Sequence, residues 1–203
     1  MSKSKGFFVC VEGLDASGKT TQAKLLTTNL RRRGFDAVCT TEPSGGGVGR
    51  LIRSFVLNRE DRAPIELEAL LFAADRIDHV ESEVKPLLKQ NKIVVCDRYV
   101  YSSLAYQGAA GLDLEWIECV NRFALRPDLT ILLDVPTDVV LGRLKRKKTV
   151  MENKLNLDKV RQVYLKLEKD GRLTLLDGNK PRGEVAEAVF QTVSRSLKAK
   201  RLL

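Results

Sequence analysis

The sequence predicts a three-layer α/β/α sandwich built on a five-stranded parallel sheet. Five apolar runs of strand length alternate with longer segments of helical periodicity, an order typical of parallel strands joined by right-handed helical crossovers. The runs are also continuously apolar rather than alternating, as expected for strands that helices cover on both faces. The chain has 203 residues and no Pro- or Gly-rich linker, so we expect residues 1–203 to form a single domain.

Each element follows from its own pattern of apolar residues. Strands are predicted at 7–11, 37–40, 93–96, 129–133 and 173–176. Helices are predicted at about 18–33, 50–57, 137–146, 157–168 and 185–197. A long helix is predicted from Pro64 through Val80, with a bend or interruption near Pro86. Gly34 is placed to end the first helix and Pro64 to begin the long helix. Ligands of such folds bind at the carboxyl ends of the strands, so functional side chains are expected there.

The cysteines and the single histidine do not fit a zinc site or a disulfide scaffold. The four cysteines are far apart, with no C-x-x-C pair, whereas zinc sites need clustered Cys and His ligands. Cys10, Cys39 and Cys96 lie in strand-like runs and are expected to be small buried hydrophobes. His79 lies in a charged helical stretch, which favours a surface position.

The formal net charge is +9, and the excess of basic residues lies after position 142. The densest block, residues 143–148, has few aromatic residues near it, so we expect no nucleic-acid partner. No apolar run approaches 18 residues, so we also expect no membrane span. The segment before Gly13 is too short for a signal peptide, which predicts a cytoplasmic protein.

A phosphate-binding loop follows the first predicted strand. Residues 13–20 read G-x-x-x-x-G-K-[ST], between a strand and an amphipathic helix, as the P-loop motif requires. Its backbone N–H groups cradle phosphates, its lysine reaches the β- and γ-phosphates, and its hydroxyl residue ligates Mg²⁺. We therefore expect a P-loop NTPase fold that binds ATP and Mg²⁺. The expected ATP-binding residues here are Gly13, Leu14, Asp15, Ala16, Ser17, Gly18, Lys19, Thr20 and Thr21.

Other features of the chain exclude two classes of P-loop protein. A GTPase would carry an N-K-x-D guanine-binding motif, but Asn179-Lys180 is followed by Pro181-Arg182. A motor or helicase would need a longer chain. A small kinase that phosphorylates a nucleotide fits the length.

Four sequence blocks resemble those of thymidylate (dTMP) kinases. Residues 97–108 resemble the D-R-Y-x-x-S-x-x-A-Y-Q-G signature of that family. Residues 41–53, 70–76 and 131–136 resemble its R-E-P-G-G…G-x-x-I-R loop, its L-L-F-x-A-[DN]-R helix and its fourth strand. The blocks occur in the family's order, and the resemblance covers residues 6 to about 195.

The resemblance implies ATP-dependent phosphorylation of dTMP to dTDP by a homodimer with a mobile lid. It implies that Asp15 contacts the deoxyribose 3′-OH and that Arg53 and Arg98 hold the dTMP phosphate. Phe72 would pack on the thymine face, Arg76 would donate to its O4, and Ser103 would approach the base edge. Tyr106 would fill the space of a ribose 2′-OH, and Asp97 would organise Mg²⁺ together with Thr20. Lys19, Asp97 and Arg98 would act in catalysis.

Three departures from the family pattern concern phosphate binding. Thr41 replaces the usual arginine before Glu42, and Ser44 replaces the first glycine of that loop. Ala16 stands where some members have a P-loop arginine, so the transition-state cation is expected from a short lid at about 143–155. We expect Arg146 to supply that cation and Arg143 to lie beside the adenine of ATP.

The sequence is also compatible with two other functions. One is a kinase for another pyrimidine monophosphate or for a deoxynucleoside. The other is a nucleotide-binding module without turnover, although the set Lys19, Thr20, Asp97 and Arg98 argues against it because a pure binder needs no acceptor site.

Overall fold

One five-stranded sheet organises the chain, and its strands are all parallel. The computed structural model describes residues 6–57, 63–144 and 153–200. The strand order is β2-β3-β1-β4-β5, with β1 at the centre. The strands are β1 Phe7–Glu12, β2 Ala37–Thr41, β3 Ile93–Asp97, β4 Leu129–Asp134 and β5 Thr174–Asp177. The predicted fold class and the positions of all five strands are confirmed.

Helices connect these strands, and each connection returns the chain to the same end of the sheet. Two single π-helical turns, Arg53–Leu57 and Val80–Val84, extend the second and third helices. The α-helices are α1 Lys19–Arg32, α2 Gly47–Ile52, α3 Ile65–His79, α4 Lys85–Lys89, α5 Val100–Ala109, α6 Leu114–Val120, α7 Thr137–Arg143, α8 Lys154–Lys169 and α9 Arg182–Ala199.

Apolar side chains on both faces of the sheet form the core. On one face, α1 and α9 pack Leu26, Leu30 and Val189 against alternate residues of β1. Helices α5, α6 and α8 form a second cluster around Leu104, Ile117 and Val160, and Phe8, Cys10 and Tyr99 belong to a third cluster. Burying the side chains of β1 on both faces explains why its sequence is continuously apolar. Cys10 and Cys96 are fully buried, as expected, whereas Cys39 is only half-buried because it lies on the edge strand β2.

Several elements differ from the sequence prediction. Helices α5 and α6 were not predicted, although Asp113 accepts a hydrogen bond from the Glu115 N–H (3.1 Å) as a normal N-terminal cap. Strand β5 is largely exposed because it is an edge strand. Helix α7 ends at Arg143, and Leu144 already has extended backbone angles, so the predicted helix to Arg146 was too long; Arg146 itself lies outside the described residues.

The prediction that His79 lies at the surface was wrong, because its side chain is buried on the inner face of α3. Within the described ranges, no helix combines the length and apolar character that crossing a membrane requires.

We expect Gly49→Ala to lower the melting temperature, with a loss of about 1–3 kcal/mol in the free energy of unfolding. A Cβ at Gly49 would lie 2.1 Å from the Ser44 carbonyl oxygen, which belongs to the backbone of the neighbouring loop. Gly47→Ala is the matched control on the same helix, since a Cβ there meets nothing within 4 Å. Thermal melts of both variants check this, and equal melting temperatures would contradict it.

Candidate active site

The phosphate-binding loop joins the end of β1 to the start of α1. Gly13 (φ 144°) and Ala16 (φ 59°) adopt left-handed backbone angles, which turn the chain back over the sheet. A Cβ at Gly13 would lie 2.6 Å from the Leu133 carbonyl oxygen, so this position needs glycine for space as well as for conformation. The N–H groups at the start of α1 therefore face the carboxyl edge of the sheet, where anions bind.

Lys19 is a buried cation at the first position of α1. Its Nζ donates to the Leu14 carbonyl oxygen (2.7 Å), which folds the side chain back over the loop. The pKa of Lys19 is lowered from 10.5 to about 8, mainly by burial and also by repulsion from Arg98, while attraction to Asp15, Asp97 and Glu12 acts in the opposite direction. A phosphate group bound in the loop would add negative charge beside the Lys19 ammonium and so favour its charged form.

Thr20 and Asp97 face each other across the ends of α1 and β3. The Thr20 hydroxyl donates to Asp97 Oδ2. Asp97 Oδ1 is buried and has no hydrogen-bond partner among the described residues. One hydroxyl, one carboxylate and a phosphate are suitable ligands for Mg²⁺, which keeps several waters in its coordination shell. The two residues predicted to hold Mg²⁺ are therefore adjacent and chemically suited to it.

Arg98 joins the loop after β3 to the phosphate-binding loop. Its Nη2 forms an ion pair with Asp15 (2.5 Å), its Nη1 donates to the Ser102 hydroxyl (2.9 Å), and its guanidinium lies 5.1 Å from the Tyr106 ring centroid. The Tyr106 hydroxyl accepts from the Asp15 N–H (3.0 Å). Although burial acts to lower it, the carboxylate of Asp15 keeps the pKa of Arg98 above its ordinary value. Three residues of the predicted dTMP site thus form one cluster.

Glu12, at the end of β1, supports this cluster through several hydrogen bonds. Its fully buried carboxylate accepts from the Tyr99 N–H (2.8 Å), the Ser102 hydroxyl (2.7 Å) and the Tyr164 hydroxyl (2.9 Å). Burial raises the pKa of Glu12, and these donors together with the charge of Arg98 act in the opposite direction. One carboxylate therefore connects β1, the start of α5 and α8. Arg98, which directly precedes Tyr99 in the chain, has φ 69°.

The loop after β2 is fixed by Asp75 and Arg53. Asp75, fully buried on α3, accepts from the Ser44 N–H (2.7 Å) and the Ser44 hydroxyl (2.6 Å). The serine that replaces the family's glycine thus gains a partner for its hydroxyl. Arg53 donates to the carbonyl oxygens of Ser44 (2.6 Å) and Pro43, while Thr41 is exposed and donates to the Asp97 carbonyl oxygen (3.1 Å).

Arg76 lies in a buried polar pocket between α3, α5 and α6. Its Nη2 pairs with Glu42 Oε2 (2.8 Å) and donates to the Ser103 hydroxyl (3.2 Å), and its Nη1 donates to Asn121. Phe72 lies one helical turn before Arg76, is half-buried and belongs to none of the three core clusters of the described residues. Arg76 and Ser103 are therefore together, with Phe72 on the same side of α3.

Two predicted ATP-binding residues, Thr21 and Arg143, lie outside the phosphate-binding loop and on different helices. Thr21 is exposed on the first turn of α1. Arg143 is exposed, and its Nη2 donates to Asn179 Oδ1 (3.3 Å), so the end of α7 lies beside the loop after β5. Arg146 and most of the predicted lid lie outside the described residues.

Sequence reasoning missed the buried polar residues that support the site. These are Glu12, Glu42, His79, Asn121 and Tyr164, together with the half-buried Ser102. Glu12 carried a signal, because a charged residue directly after a buried apolar strand and before a phosphate-binding loop needs several hydrogen-bond donors. Tyr164 carried none, because its partner is 152 positions away.

The fold and this site define a P-loop phosphotransferase with a second, arginine-containing site beside the phosphate-binding loop. The family model for thymidylate kinase matches residues 11–189. The chain is 50% identical over 170 residues to a "Probable thymidylate kinase" of Pyrococcus abyssi, covering 80% of this chain and 83% of that protein. It is 40% identical to one of Pyrobaculum calidifontis (96% and 99% covered) and 35% identical to a "Thymidylate kinase" of Halothermothrix orenii (95% and 99%). The chain belongs to the thymidylate kinase family.

We expect Lys19→Ala to lower phosphoryl transfer from ATP by about 10²–10³-fold, because a preorganised cation at the transferring phosphate is removed. The melting temperature should stay equal or rise, since burial disfavours the charged form of Lys19 in the folded state. Lys24→Ala, on the exposed side of α1, is the control. Turnover and thermal melts check both, and turnover of Lys19→Ala within tenfold of wild type would exclude this role.

Proposed function

We propose that the chain catalyses transfer of the γ-phosphoryl group of ATP to dTMP, with Mg²⁺, to give dTDP and ADP. The observation that carries the proposal is the cluster of Arg98, Asp15 and Tyr106 beside Lys19. A protein that only binds one nucleotide needs the phosphate-binding loop but not a second anion site next to it. The names of the relatives support dTMP as the acceptor.

In this proposal, the acceptor nucleotide lies between α3 and α5. Arg98 and Arg53 hold its phosphate, and Arg98 is suited to this because Asp15 already orients its guanidinium. Asp15 accepts from the deoxyribose 3′-OH. The thymine lies with its face on Phe72 and its O4 edge toward the pocket of Arg76 and Ser103.

The donor nucleotide occupies the phosphate-binding loop. Backbone N–H groups of residues 13–21 hold the phosphates, and Arg143 lies beside the adenine, close to the loop after β5. Thr20 and Asp97 would hold Mg²⁺, which neutralises charge on the phosphates when bound. Lys19 bridges the transferring phosphate, so this chain's residues supply alignment and charge rather than covalent chemistry.

The remaining expectations fit this function and stay predictions. They are a single domain with a lid at about 143–155, a transition-state cation from Arg146, and a cytoplasmic protein without nucleic-acid or membrane partners. The alternatives are a kinase for another pyrimidine monophosphate or deoxynucleoside, and a binding module without turnover.

Comparing acceptors tests the proposal directly. We expect ADP release from ATP to be fastest with dTMP among dTMP, dUMP, UMP, dCMP and thymidine. Faster turnover of another acceptor would favour the first alternative. Tight ATP binding with no turnover of any acceptor would favour the second.

We expect Tyr106→Ala to reduce the preference for dTMP over ribothymidine monophosphate by about tenfold, because the ring leaves no room or partner for a 2′-hydroxyl. Tyr106→Phe keeps the ring but removes the hydroxyl that accepts from Asp15 N–H, so it should retain the preference. The ratio of kcat/KM for the two nucleotides is the measurement. An equal ratio in wild type and Tyr106→Ala would refute this role of the ring.

We further propose that a second copy of the chain covers the outer face of α3. Leu67, Leu70 and Ile77 are 38–47% exposed on one face of this helix, and Leu51 on neighbouring α2 is 48% exposed. A contiguous apolar surface of this kind on a water-exposed helix is typical of a protein interface. The opposite face of α3 carries Asp75 and Arg76, so a dimer here would stiffen the helix that holds the base.

We expect Leu70→Glu to convert a dimer to a monomer, because charge would be buried at the centre of this face. Phe123→Glu is the control, since Phe123 is 67% exposed on another surface. Sedimentation velocity gives the oligomeric state. A monomeric wild type, or a Leu70→Glu variant that remains dimeric, would contradict this assignment.

A further inference from the structure

His79, the only histidine of the chain, is buried and takes no part in the proposed reaction. Its side chain is 1% exposed, although it lies in a charged helical stretch. Nδ1 lies 3.2 Å from Glu42 Oε1, and Nε2 lies 2.7 Å from the Thr40 hydroxyl. The carboxylate of Glu83, one turn further along, is 3.6 Å from Nε2. Because a carboxylate oxygen accepts, Nδ1 is the donor toward Glu42.

Glu42 uses its two oxygens for two different partners. Oε1 faces His79, and Oε2 accepts from Nε (2.9 Å) and Nη2 (2.8 Å) of Arg76. The orientation of this carboxylate is therefore set from both sides. Since Arg76 donates to Oε2 through two nitrogens, the Glu42 carboxylate sets the position of one edge of the guanidinium. Ser103 and Asn121 accept from its other N–H groups.

We infer that His79 is a positioning residue for the base of the acceptor nucleotide. His79 fixes Glu42, Glu42 positions one edge of the Arg76 guanidinium, and Arg76 is thereby held so that an N–H group can donate to the 4-carbonyl oxygen of a pyrimidine. This inference rests on the proposed function, which assigns Arg76 to the base edge. It adds that selection of a 4-carbonyl over a 4-amino group depends on a residue that does not touch the nucleotide.

Selectivity separates this role from a contribution to folding alone. dTMP and 5-methyl-dCMP have the same sugar, phosphate and methyl group, and differ in the 4-substituent and in the proton on the adjacent N3. A correctly oriented arginine donates to a carbonyl oxygen there but opposes an amino group, which is itself a donor. Loss of stability alone would lower activity on both nucleotides equally and leave their ratio unchanged.

The experiment measures kcat/KM for both nucleotides, and the melting temperature, in four proteins. His79→Leu removes both polar contacts, and we expect it to reduce the preference for dTMP by about tenfold. His79→Asn keeps an N–H donor at the place of Nδ1 and should retain a ratio within about threefold of wild type. Thr40→Val removes only the partner of Nε2 and should also retain it.

A fifth protein covers the case in which His79→Leu does not fold. The amide of His79→Gln reaches the place of Nε2 and leaves Glu42 without its donor, so it should lose selectivity where His79→Asn keeps it. Equal ratios in wild type, His79→Leu and His79→Gln would overturn the inference while leaving the proposed function intact. A wild type that does not phosphorylate dTMP would overturn both.

Discussion

The buried carboxylate of Glu12 is the constraint on which the geometry of the site depends. It lies at the end of the central strand, immediately before the phosphate-binding loop, and it accepts hydrogen bonds from the start of α5 and from Tyr164 on α8. A fully buried carboxylate is stable only with several donors around it. Its donors therefore fix three separate elements relative to each other. Arg98 donates to the hydroxyl of Ser102, one of these donors, so Glu12 also fixes a residue that orients Arg98.

The arrangement of charged side chains in the site favours the binding of an anion. Lys19 is buried and Arg98 is half-buried, and their mutual repulsion contributes to the lowered pKa of Lys19. Asp15 and Asp97 offset part of this positive charge, but Asp97 keeps one buried oxygen without a partner among the described residues. Two phosphates and a Mg²⁺ ion would satisfy all of these groups at once. Charged groups that are already held in place before the ligands bind are the condition for electrostatic catalysis.

The two faces of helix α3 carry different kinds of side chain. The inner face presents Asp75, Arg76 and His79 to the loop after β2, and each makes buried polar contacts with it. The outer face carries exposed leucines and an isoleucine. Buried polar groups tolerate little displacement because each lost hydrogen bond leaves a group unsatisfied. The helix therefore couples the position of the loop after β2 to the buried polar pocket of Arg76.

Patterns local in the chain determined the fold class, all five strands and the phosphate-binding loop, because apolar periodicity and a short glycine-containing motif each act over a few residues. The resemblance of short sequence blocks to a known family identified Asp15, Asp97, Arg98 and Tyr106, and the structure places these residues in the loop or close to it. Local patterns could not reveal that His79 is buried, since its charged neighbours resemble those of a surface helix and its partners Thr40 and Glu42 lie almost 40 positions earlier. They also gave no signal for Tyr164 or Asn121. Only the tertiary structure decided these positions, because a buried polar side chain is stable where distant segments supply its hydrogen-bond partners, and those partners are not encoded near it in the sequence.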